Sequence, residues 1–257
     1  MRASVAGRSA SFRCDCSGHT DLMMNQWSRY AWLGGIVYVL ALLTETVIAT
    51  RIDLAHDDSA ARVATRLAAY TGTLIAIACI SIIYALGFTV YLARLHSFLR
   101  GDGVRHHMAG TLIVIGGVLF VTLHGVSDIG ITGLLGSKIA SYAADHHDPG
   151  LSYALYYLTF ALDSVGDVFA SLFLLATAYV IRCERTLPGW LAWLAAMVGV
   201  LFIIQGFGLG GIVATFGLVV DLIGFLLLLG FIVATSIIGL RRGAGPAPAA
   251  RASVRET

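Results

Sequence analysis

The chain has 257 residues, of which 58% are hydrophobic and only 12% charged, with a formal net charge of +2 and a mean hydropathy of +0.82. A soluble domain of this size carries roughly a quarter charged residues, so composition leaves a polytopic membrane protein as the class. A nucleic-acid partner is excluded in the same step, because no basic face survives outside a few connecting segments.

Residues 1 to 25 are rich in Ser, Arg and Gly and lack the continuous apolar run of a signal peptide, so they read as a disordered leader. Met23 and Met24, just before the first apolar stretch, offer an alternative start. Six stretches then follow that are long enough to span ~30 Å of hydrocarbon at about 1.5 Å per residue. They cover about 30 to 50, 70 to 93, 109 to 131, 154 to 181, 190 to 212 and 216 to 240. A run such as 222 to 238 is apolar on every face, which fits a helix and not a barrel strand. The fold expected is therefore an all-α bundle of six spans in one domain, 26 to 242, with a short disordered tail from Gly243.

Thirteen of the 17 basic residues fall in the N-terminal segment, the second and fourth connections and the tail. Excess Lys and Arg mark cytoplasmic loops, so both termini are expected on the cytoplasmic side of an inner (plasma) membrane. In the first connection Ala60, Val63, Ala64 and Leu67 share one helical face and Arg62 and Arg66 another, which suggests an interfacial helix. Glycines concentrate in the spans, as at Gly34, Gly35, Gly116, Gly117 and Gly206 to Gly211, where small residues let helices approach closely. The four prolines, Pro149, Pro188, Pro246 and Pro248, avoid the spans, so broken transporter-type helices have little support. Cys14, Cys16, Cys79 and Cys183 are not placed for an exported disulfide and read as small fillers.

The informative residues are polar ones inside the spans: Glu45, His124, Asp128, Asp163, Asp167, Gln205 and Asp221. An Asp in hydrocarbon costs roughly 3 kcal/mol, so such groups face a protein interior or a wet cavity. Counted from the cytoplasmic helix ends, Glu45, Asp167 and Gln205 fall ~22 Å deep, His124 ~24 Å, and Asp128, Asp163 and Asp221 ~28 to 30 Å. They form one layer in the outer half. Asp163 and Asp167 share a face, as do His124 and Asp128, because residues four apart are neighbours on a helix. Two close carboxylates in a medium of low dielectric invite a proton, a cation or a basic partner, and an Asp beside an imidazole can orient it as base or ligand. The outer connections add His56-Asp57-Asp58 and Asp145-His146-His147-Asp148, weak candidates for Zn²⁺ without helical ligand spacing.

The stretch 28 to 51 with Gly35, Tyr38 and Glu45, and the turn 182 to 188 followed by Leu191, Leu194 and Gly199, resemble a bacterial six-helix membrane family catalogued as a domain of unknown function. The likeness covers about 28 to 242 and departs from the family pattern in the third span and at 145 to 148. It implies a fold and a membrane location, with no activity and no cofactor to carry over. No phosphate-binding, dinucleotide-binding, serine-hydrolase or zinc-protease motif occurs in the sequence. Three readings follow: an outward-opening acidic pocket that binds or helps to move a small solute or cation, a metal-dependent hydrolase at the outer headgroup level, or an accessory subunit without chemistry.

Overall fold

A computed structural model describes residues 30–52, 54, 58–100, 107–146, 148–207 and 214–242. The expected leader and tail lie outside the described residues, as do His56, Asp57 and His147. Among the described residues the secondary structure is helical throughout, with no strand. The helices are α1 (Leu33–Ala49), α2 (Ala60–Ala69), α3 (Thr71–Arg100), α4 (His107–Gly125), a π-helix (Val126–Leu135), α5 (Gly136–His146), α6 (Pro149–Glu184), α7 (Gly189–Gly206) and α8 (Ala214–Arg242). Among the described residues five helical runs, starting at Thr71, His107, Pro149, Gly189 and Leu222, are long and apolar enough to cross a membrane, while α1 is apolar but shorter, at 17 residues. The chain is a multi-pass helical membrane protein.

Six helices close into a ring. Helix α1 packs on α3, α3 on α4 and the π-helix, α4 along α6, α6 along α7, α7 on α8, and α8 back on α1. Glycine sets two of these approaches. A Cβ on Gly34 would lie 2.6 Å from Gly87 O, and one on Gly116 would lie 2.7 Å from Phe173 N, so α1 meets α3, and α4 meets α6, with backbones nearly touching. The close-packing role expected of these glycines is seen directly in those distances.

Chain order brings the start of α1, the end of α3, the α6–α7 turn and the end of α8 to one end of the ring. Trp32 is fully buried there against Gly239 and under the Arg94 guanidinium, 5.8 Å from its ring. Arg242 donates to Thr186 O, tying α8 to the turn. Arg94 corrects one expectation: the second span does not stop at 93 but continues as helix to Arg100, so Arg94 is a helix residue covering a tryptophan face. Helix α6 stops where Arg185 adopts a left-handed φ of 51°.

The opposite end is capped by α2 and α5. Ser59 accepts from Arg62 N at 3.4 Å to start α2, and Arg62 pairs with Asp58 at 3.2 Å. The apolar face expected of this helix exists, but Val63 and Leu67 are buried against protein, since α2 packs on α5 and α6. It is a protein-packed cap and not a helix laid on lipid by that face. The third span is corrected too: instead of ending near 131, it runs on through the π-helix into α5. Gly133 permits this path, because a Cβ there would sit 2.1 Å from the Cβ of Ala78 on α3.

Candidate functional site

The expected polar layer resolves into two chambers. A central cavity of about 270 Å³ is lined from all six helices of the ring. Tyr38 reaches it from α1, Tyr84 from α3, His124 from α4, Asp163, Ser164 and Asp167 from α6, Gln205 from α7 and Phe225 from α8, with Asp128 contributed by the π-helix. A second chamber, of about 230 Å³, lies beneath the cap and is lined by Glu45 and Asp128 among apolar side chains. Asp128 belongs to both and stands between them.

Helical spacing accounts for most of this. Asp163 and Asp167, one turn apart on α6, both line the central cavity. His124 and Asp128 have the same spacing, yet they take different partners. His124 Nε2 lies 3.6 Å from Asp167 Oδ1, whereas Asp128 Oδ2 accepts from the Tyr84 hydroxyl at 2.5 Å. Both still line the central cavity, and each also takes a partner across a helix interface. Between the two residues, at Val126, the backbone changes from α to π, in which each successive side chain turns by less.

The imidazole is positioned from three sides. Its Nδ1 lies 3.1 Å from Phe120 O, and its ring packs on Phe120 at 4.6 Å between centroids. Across the helix interface Gly166 leaves it room, since a Cβ there would be 2.5 Å from Nδ1. Donation from Nδ1 to the Phe120 carbonyl assigns that nitrogen the proton and turns Nε2 toward Asp167. A proton held between Nε2 and the carboxylate makes them an ion pair. Without it they are two acceptors facing the same cavity.

Glu45 lies in the second chamber, not the central one. Its Oε1 is 3.0 Å from Ser81 Oγ, and its Oε2 is buried with no hydrogen-bond donor among the described residues. The Ser81 hydroxyl also lies 2.9 Å from Ile77 O, so one proton serves two acceptors.

The central cavity is closed toward the Trp32 end by aromatic side chains. Phe88, fully buried, has Tyr38, Phe120, Phe173 and Tyr91 around it at centroid distances of 5.1, 5.3, 5.9 and 6.0 Å. Tyr91 in turn shares a 2.7 Å hydrogen bond with Thr235. Below the polar layer the bundle is a packed core.

The remaining candidates fall elsewhere. Backbone at Asp221 belongs to α8, but its side chain lies outside the described residues. His146 is exposed, stacks on Tyr142 at 3.9 Å and is 3.0 Å from Tyr142 O, while Asp148 caps α6 by accepting from Gly150 N at 3.1 Å. These are helix-end contacts. Among the described residues no three His, Cys, Asp or Glu side chains are placed to hold a metal ion. Sequence reasoning missed Tyr38 and Ser164. The signal for Tyr38 was its place two helical turns before Glu45, on the same side of α1. No family model, curated protein or solved structure matches the chain.

Proposed function

We propose that this is a six-span protein of the bacterial inner (plasma) membrane, with both termini cytoplasmic, whose central cavity binds a small cation or basic solute and helps to move it. The observation that carries this reading is the convergence of all six ring helices on one cavity holding Asp128, Asp163, Asp167, His124 and Gln205. Carboxylates kept in hydrocarbon surroundings need a compensating positive charge, and a cavity with water-sized room can admit one. The six-span count is supported by the turn at Ala31 and Trp32, whose hydrogen bonds lengthen the first apolar helix back to about residue 30. Orientation rests on the basic residues gathered at the Trp32 end. Membership of the uncharacterised six-helix family belongs to the same proposal and adds no chemistry. A metal-dependent hydrolase is less favoured, because the described carboxylates and His124 do not form a ligand set.

Titration of inorganic monovalent cations into the purified protein in lipid nanodiscs tests the reading. Asp163→Asn combined with Asp167→Asn should weaken binding at least tenfold with the thermal transition retained. Binding unchanged in that folded double variant overturns the proposal, and a wild-type protein silent to every cation leaves the accessory-subunit reading.

A further inference from the structure

The second chamber differs from the central cavity in composition. Its anionic groups are Glu45 and Asp128, and the rest of its wall is mainly aliphatic, including Ile52, Leu67, Leu74 and Ile77. Glu45 is only 7% exposed, and its Oε2 lies in this wall without a hydrogen-bond donor among the described residues. A buried carboxylate oxygen left unmatched costs about 1 to 3 kcal/mol or more, so its retention points to a partner that arrives from outside the chain. That partner is cationic. A hard divalent ion would want six to eight oxygen ligands, which this wall does not supply. A small inorganic monovalent ion would find only Glu45, Asp128 and the hydroxyl-bearing Thr132, Tyr156 and Thr159 in a wall otherwise aliphatic, too few groups to replace its water shell. An ammonium carried on a short apolar body satisfies both features, with its N–H groups on the carboxylates and its body against the aliphatic wall and the ring of Tyr156. The volume of about 230 Å³ lies below the range of drug-sized pockets, which limits the body to a few carbons or one ring.

We infer that the chamber beneath α2 and α5 is a binding site for a small primary organic ammonium, with Glu45 and Asp128 as its anionic ligands. It rests on the reading of the central cavity only through Asp128, which stands in the wall common to both. Ala49 is exposed and lines the chamber, so it marks the opening.

The test is calorimetric titration of benzylammonium and n-butylammonium chloride against a sodium chloride control, using full-length protein in nanodiscs. Wild type should bind the organic ions at least tenfold more tightly than sodium. Glu45→Gln should lose at least tenfold, and Ala49→Phe, at an exposed position compatible with folding, should block entry and lose a similar factor. Asp163→Asn with Asp167→Asn, in the other cavity, should change this binding less than threefold. Organic ions bound no better than sodium, or binding unaffected by both Glu45→Gln and Ala49→Phe, overturns the inference. If the organic ions instead respond only to the Asp163 and Asp167 changes, the central cavity is their site and this assignment fails while the function proposed above stands.

Discussion

Gly166 and His124 illustrate how one residue without a side chain positions another with chemistry. The imidazole occupies the space a Cβ on Gly166 would take, 2.5 Å from Nδ1, and that placement brings Nε2 to within 3.6 Å of Asp167. Gly166→Ala should therefore force the ring away from Phe120 O and destabilise the protein by about 1 to 3 kcal/mol, the usual cost of overpacking. Adding His124→Ala should recover part of that loss, because the clash disappears with the ring. Thermal unfolding of the two single variants and the pair reads this coupling, and strictly additive losses would contradict the contact. At this scale the sequence was partly legible. The i, i+4 rule placed Asp163 and Asp167 together because α6 is regular α-helix there. The rule also put His124 and Asp128 on one cavity, but their cross-helix partners, Asp167 and Tyr84, follow from the packing, and nothing in 126 to 135 beyond its glycines signals the change to π-helix.

The cap shows the same division between what periodicity carries and what packing decides. The amphipathic face of α2 follows from apolar residues at 60, 63, 64 and 67, and Ser59 supplies the stop that begins it. What covers that face is a tertiary matter. Val63 is fully buried in a cluster with Ile52, Leu74 and Ala140, so α2 is held by α3 and α5 side chains. A charge at this position, Val63→Asp, should release α2 while leaving the six-helix ring folded. Hydrogen exchange over 60 to 69 should then rise by at least an order of magnitude with α4, α6 and α7 unchanged. Exchange that stays at the wild-type level would mean the face is not buried against protein. The length of α6 was likewise underestimated, because Asp148 and Pro149 form a capped start that reads as loop in a sequence scanned for apolar runs.

At the scale of the molecule, composition alone establishes a helical membrane protein, and the alternation of helix directions gathers Arg94, Arg182, Arg185, Arg241 and Arg242 at one end. The polar layer was legible as a depth, since counting along each helix put its members near one level. Its division into two chambers was not. Residues at equal depth on different helices meet or miss according to the order of helices around the ring, and that order is not written in any local pattern. The central claim is a cavity that cations reach from the end opposite the basic one and that the Phe88 cluster closes on the other side. Ser164 lines it and is small enough to replace, so Ser164→Cys in a background lacking Cys14, Cys16, Cys79 and Cys183 provides a direct probe. In oriented membrane vesicles, a small cationic methanethiosulfonate should modify Cys at 164 only from the side opposite the termini, and a bound cation should slow the reaction at least fivefold. Modification from the side of the termini, or a rate indifferent to every cation, would contradict the account.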